Sequence, residues 1–195
     1  VVPDPDGFQV GGINVRRVEP RNTPTVINAV FNRILFWDGR AKSLEEQALL
    51  PIEDPTEMGS KLGDVLTRLQ NKKDYVDAFE KAFPKEGITK ENLAKAIASF
   101  ERALLSGNSP VDKFTQQGER TALTEKQLHG FWLYESKGMC WKCHSGHNFT
   151  DEAFRNTGDS WGQSDLGRFG FTKNDADKGK FKTPTLRGVG KSAPY

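Results

Sequence analysis
The sequence predicts an all-α domain with long irregular loops. Three observations carry this reading. Capping boxes stand ahead of amphipathic runs, apolar residues recur at helical spacing, and alternating strand patterns are nearly absent. No internal repeat is visible. Residues 1–24 are rich in Gly, Pro, Asp and Asn and predict irregular chain. Ser43, with Glu46 three residues on, predicts the first helix start, SLEEQALL, and Pro51 predicts its stop. Gly59 to Phe83 predicts helix, with Leu62, Val65, Leu66 and Leu69 on one face and a break at Asn71. The strongest helix is TKENLAKAIASFERALLS, where Leu93, Ile97, Phe100 and Leu104 fall at offsets 0, 4, 7 and 11. Gly107 ends it and Pro110 follows. Thr124 with Gln127 forms another capping box and opens TEKQLHGFWLYESKG, which delivers the chain to CWKCH. Beyond residue 145 the chain is Gly-, Asp- and Lys-rich and predicts loop. The irregular ends are too long for mere connectors, so they are expected to wrap something.

With 195 residues the chain is long enough for one large domain or two small ones. Net charge is +2 and no basic run stands out, which gives no footing for nucleic-acid binding. No apolar stretch approaches a membrane span, and mean hydropathy is −0.64. The start, VVPDPDG, reads as a mature or trimmed chain. Both cysteines lie in one motif, leaving none for a structural disulfide, so cysteine usage alone does not identify the compartment.

That motif is CWKCH, residues 140–144. C-x-x-C-H is the attachment signature of c-type haem. Two thiols one helical turn apart match the two vinyl groups of one porphyrin, and His144 then turns its imidazole to the iron. Zinc is one rival, with Cys140, Cys143, His144 and His147 as four ligands, but crowded into eight residues. A redox dithiol is the other, but it expects a βαβ setting that the sequence lacks. Haem is favoured. It would also give the irregular ends a surface to pack on. Met139 adjoins Cys140 and is barred from the opposite face of that haem, and His129 and His147 read as solvent-facing or packed side chains.

RNTPTVINAVFN (21–32), LFWDGRAKSLEEQALLPIEDPTEMG (35–59), AIASFERALLSGNSPVDKF (96–114), CWKCHSGHNFTDEAF (140–154) and FKTPTLRGVGKSAPY (181–195) together resemble the bacterial dihaem cytochrome c peroxidases. NFTDEAFRNTG, and DLGR ahead of FKTPTLR, look most like the branch of the methylamine-utilisation dihaem enzyme, which oxidises tryptophans of a partner protein. The resemblance implies a cytochrome c-like haem domain. Residues 1–59 would form the inter-haem region and wall of the peroxidatic pocket. Residues 60–195 would form the C-terminal haem domain, cut before its distal ligand. It implies haem c, one on this chain and two in the complete enzyme, the first motif lying just upstream of residue 1. It also implies a periplasmic location, since haem is attached covalently outside the cytoplasm.

Site residues follow by the same resemblance. Trp37 matches the tryptophan between the haems, though as plain sequence it is an ordinary core residue beside Phe36. Gln47 and Glu57 match the peroxidatic pocket. A carboxylate there can move a proton between peroxide oxygens, and the glutamine can hydrogen-bond bound peroxide or water. Their plain readings are an exposed helix position and a solvated acid. Asn22, with the carbonyls of Ser192 and Pro194, matches an inter-haem calcium site; alone, Asn22 is a turn residue. Arg187 is expected to pair with a haem propionate, with Arg168 and Lys182 competing. Many dihaem peroxidases carry a removable distal histidine on the first haem, but here no histidine precedes His129. That haem is therefore expected to be open to peroxide. The distal ligand of the His144 haem, Met or Tyr in the family, is expected downstream of Tyr195.

The function implied is peroxide reduction. Electrons would come from a small donor, a cytochrome c or cupredoxin. Oxidation of a partner protein and a non-catalytic electron-transfer subunit are the alternatives. The sequence leaves the oligomeric state open, a homodimer included.

Overall fold
The computed structural model describes residues 9–10, 13–14, 21–158 and 165–191. Near the N-terminus, where irregular chain was expected, β1 (Gln9–Val10) and β2 (Ile13–Asn14) pair antiparallel. Helix α1 (Leu44–Glu53) starts at Ser43, whose side chain accepts from the Glu46 N–H at 3.1 Å. The Glu46 carboxylate reaches past Ser43 to the Lys42 N–H, at 2.8 Å. Pro51 does not stop this helix but lies inside it. Proline carries a helix-compatible φ, and with only two residues after it the helix tolerates the missing N–H bond and the crowded preceding turn, continuing to Glu53. The predicted break at Asn71 is real. It separates α2 (Leu62–Gln70) from α3 (Lys73–Ala82).

Helix α4 (Lys90–Ala103) is capped by Thr89, whose side chain accepts from the Asn92 N–H at 3.1 Å. Its buried face is rotated from the predicted stripe. Leu93, Ala94, Ala98 and Glu101 are buried, while Phe100 is 66% exposed. The alanines let α1 approach closely, and that contact decides which face turns inward. Two apolar clusters meet on this pair. Leu44 and Ala98 join Ala29, Leu35, Phe36 and Ala41 in one, and Ile52 and Leu93 join Leu62 and Phe79 in the other. Buried Asn28 fastens the end of α4. Its amide bonds the Ser106 backbone both ways at 2.8 Å, and its N–H reaches the Leu104 carbonyl at 2.9 Å.

Pro110, read as following a terminated helix, instead opens α5 (Pro110–Gln116). Proline suits a first helical position, and Ser109 with Asp112 forms a complete capping box. Helix α6 (Glu125–Glu135) carries the predicted Thr124–Gln127 box in full. Beyond it the chain is mostly loop. It is braced by antiparallel β3 (Phe154–Arg155) and β4 (Phe181–Lys182), with α7 (Phe169–Thr172) between them. Among the described residues no helix is long and apolar enough to cross a membrane.

Candidate haem attachment site
Helix α6 hands the chain to the motif through a tight exit. The Gly138 N–H reaches the Leu133 carbonyl at 2.8 Å, and Met139 takes a left-handed conformation at φ 48°. Cys140–Lys142 then form a 3-10 turn. The N–H groups of Cys143 and His144 both point to the Cys140 carbonyl, at 3.2 and 2.9 Å. Both thiols are free, one exposed and one half-buried, and sit one turn apart as a shared ligand requires.

His144 is held by its backbone and by one ring nitrogen. The Tyr134 hydroxyl of α6 donates to the His144 carbonyl. Nδ1 lies 3.2 Å from the Phe149 carbonyl and 3.1 Å from the Pro184 carbonyl. Carbonyls only accept, so Nδ1 carries a hydrogen, and Nε2 is the ring nitrogen left to face a metal. The loop between is folded tightly. Asp151 N–H returns to the Cys143 carbonyl, and Thr150 N–H to the Ser145 carbonyl, both at 2.9 Å. The Asp151 carboxyl, gripped by Arg155 at 2.6 Å, is held down to about 2, chiefly by that hydrogen bond.

The residues present fit haem c. Helix α6 has no buried residue, although it carries Leu128, Phe131, Trp132 and Leu133. Trp132 is 49% exposed and neighbouring Met139 52%. A helix with this much uncovered apolar surface beside a thiol pair lacks a large apolar partner. An apolar pocket of about 340 Å³, lined by Val111, Leu123, Phe131 and Tyr134 among others, opens between α5 and α6. The zinc alternative finds no tetrad. His147 Nδ1 lies 3.2 Å from Gln116 Nε2, and no group of three His, Cys, Asp or Glu able to hold a metal assembles among the described residues. The dithiol alternative finds no βαβ unit there either.

A profile of the family described as di-haem cytochrome c peroxidase matches residues 3–121. The chain belongs to the di-haem cytochrome c peroxidase family. Cytochrome c551 peroxidase of Pseudomonas aeruginosa is 41% identical over 185 residues, covering 90% of this chain and 53% of that protein. Methylamine utilization protein MauG of Methylophilus methylotrophus is 37% identical over 179 residues, covering 90% and 52%. The solved structure of a MauG-like protein associated with microbial copper homeostasis superposes with TM-score 0.82 at 30% identity, covering 96% of this chain and 60% of that one. The diheme peroxidase BthA from Burkholderia thailandensis shares the fold, at TM-score 0.75 and 19% identity over 95% of this chain and 54% of that one. The chain thus spans about half the length of the curated relatives it matches.

Of the other family positions, Trp37 lies on one hairpin, and Asn22 and Glu57 contact it. Leu35 and Ala41 bridge across it, and Gly39 turns it at φ 74°, where a Cβ would collide with the Phe154 ring. Trp37 is half-buried rather than a core residue. Its indole N–H donates to the Asn22 carbonyl at 2.7 Å, and its own carbonyl accepts from the Lys182 N–H at 2.7 Å. Arg40 stacks on Phe36, 3.5 Å from the ring centroid, and stands between Asp38 at 3.1 Å and Glu57 at 3.9 Å. Gln47 is half-buried on α1. Asn22 is exposed, and Ser192 and Pro194 lie outside the described residues.

Arg187 has partners within the chain, Asp112 and the His147 carbonyl. Its two competitors are also engaged. Arg168 donates to the Asp38 carbonyl at 2.8 Å. The Lys182 ammonium donates to the Ile34 carbonyl at 2.7 Å, and burial lowers its pKa. Sequence reasoning did not single out Tyr134, Asp112 or Glu152. Glu152 accepts from the Arg33 N–H at 2.9 Å and so ties the loop after the motif to the Trp37 hairpin. Of these, only Asp112 left a signal, the S-P-x-D helix start.

Proposed function
We propose that the complete protein is a periplasmic enzyme that reduces hydrogen peroxide with electrons entering at a haem held by Cys140, Cys143 and His144. The observation that carries this is the setting of His144: Nδ1 faces two carbonyls and Nε2 has no hydrogen-bond partner among the described residues, next to paired free thiols. Membership of the family supplies the reaction class. When bound, haem supplies one-electron redox chemistry that side chains lack.

The chain's own residues then divide the work. Cys140 and Cys143 anchor, and His144 Nε2 ligates. Trp37, clamped at its indole and its carbonyl, bridges toward the second haem, as its family position implies. With haem in place, Glu57, 3.9 Å from Arg40, would move the peroxide proton between oxygens, and Gln47 would hydrogen-bond the peroxide. Residues 1–59 serve as inter-haem region and pocket wall, and 60–195 as the electron-transfer domain. Calcium would be held by Asn22 with the carbonyls of Ser192 and Pro194, which lie outside the described residues. A small cytochrome c or cupredoxin is the donor.

A second reading, oxidation of a partner protein, is favoured by the 37% identity to a methylamine utilization MauG and by the MauG-like structure. Stopped-flow mixing of peroxide with the reduced full-length protein separates the two. Turnover with a small reduced donor supports peroxide reduction. No donor turnover, with peroxide-dependent oxidation of a protein substrate, supports the second reading. Inertness toward peroxide in the complete two-haem protein leaves an electron carrier and overturns both.

A further inference from the structure
Arg187 stands where three parts of the haem site meet. Its Nη1 reaches Asp112 Oδ2 on α5 at 2.6 Å and its Nη2 reaches Oδ1 at 2.7 Å, a bidentate pair with side chains only 11% and 7% exposed. Ser109 holds the same carboxylate from the other side, its N–H and hydroxyl each donating to Oδ2 at 2.8 Å. Arg187 Nε donates to the His147 carbonyl at 2.9 Å, and its guanidinium lies over the Phe149 ring, 4.9 Å from the centroid. Arg187 N–H reaches Thr185 Oγ1 at 3.0 Å, and that hydroxyl donates to the Asn148 carbonyl. Phe149 and Pro184 are the two residues whose carbonyls receive the His144 Nδ1–H. Both acceptors therefore sit on segments that Arg187 grips, while its anchor is a different helix.

We propose that the Asp112–Arg187 pair is the positioning device for the axial histidine, fixing the Phe149 and Pro184 carbonyls at Nδ1 and so setting how strongly the imidazole donates to iron. This rests on the reading of His144 as the iron ligand through Nε2. A buried bidentate pair is directional and rigid. Breaking it strands a buried charge, so its two segments cannot drift apart cheaply. A carbonyl held on Nδ1–H raises the basicity of the other ring nitrogen, the usual way that surroundings tune a histidine ligand. The Asp112 carboxyl is held well below the ordinary range, first by the Arg187 hydrogen bonds, so the pair stays intact across working pH.

The test uses the reduced full-length holoprotein. Solvent exchange of the His144 Nδ1–H is followed by NMR, and the midpoint potential of this haem by spectroelectrochemistry. Arg187→Lys keeps the charge and loses the fork, and Asp112→Asn loses the charge. Each should speed Nδ1–H exchange by about ten-fold or more. Arg187→Lys should also raise the potential, because a weaker imidazole donor stabilises ferric iron less. Arg102→Lys makes the same change at the Arg102–Glu45 pair between α4 and α1 and should move neither readout. Folded, haem-bearing variants at 112 and 187 with wild-type exchange and potential would overturn the proposal. If neither variant folds, the wild type decides. Nδ1–H and Arg187 Nε–H should exchange with one shared denaturant dependence, and exchange of Nδ1–H while Arg187 Nε–H stays protected rejects the device. A wild-type chain without covalent haem would instead overturn the reading of CWKCH.

Discussion
At His144 the deciding atom is Nδ1. Its two carbonyl acceptors leave Nε2 as the ring nitrogen for a metal, and that makes the thiol spacing meaningful. The motif was legible in the sequence because its signal lies in side-chain identity and spacing. The carbonyls of Phe149 and Pro184 were not, because every residue has one and only folding selects which are aimed. Replacing Cys140 and Cys143 together by Ala should abolish haem staining on a denaturing gel, while a retained stain would mean attachment elsewhere. Acid should act on the nearby loop through Asp151. Its folded pKa, about 2, lies below the unfolded value near 3.9, so its stabilising contribution is complete above about pH 4 and is lost as pH falls toward 2. Asp151→Asn should therefore flatten the stability–pH curve in that window, measured by denaturant midpoints at several pH values. An unchanged slope would remove Asp151 from the acid response.

Among the elements, caps were the most readable feature. Ser43 and Thr124 each do at the backbone what the sequence expects. Thr124→Ala should cost about 1 kcal/mol, a typical N-cap loss, in a denaturant titration of the holoprotein. The face of α4 was less readable. Periodicity offers more than one stripe, and contact with α1 chose the one containing Ala94 and Ala98 over the one containing Phe100. The consequence is measurable. Leu93→Ala should destabilise by roughly 2–5 kcal/mol, whereas Phe100→Ser should stay within about 0.5 kcal/mol. Equal costs at the two positions would return Phe100 to the core. Helix α5 escaped notice because Gly107 and Pro110 look like a terminator. The Ser109–Asp112 box shows the same letters opening the next helix.

For the molecule as a whole, the described chain has packed helices at α1 and α4 and an uncovered apolar helix at α6, and the motif lies beside the uncovered one. That asymmetry fits a domain built around a covalent prosthetic group. Covalent haem on this chain is therefore the claim on which the rest depends. Intact-mass spectrometry of the protein matured in a haem-attaching periplasm, followed by peptide mapping, tests it directly. A haem adduct carried by the peptide containing residues 140–144 is the expected result. A peptide of unmodified mass with two titratable thiols would contradict it.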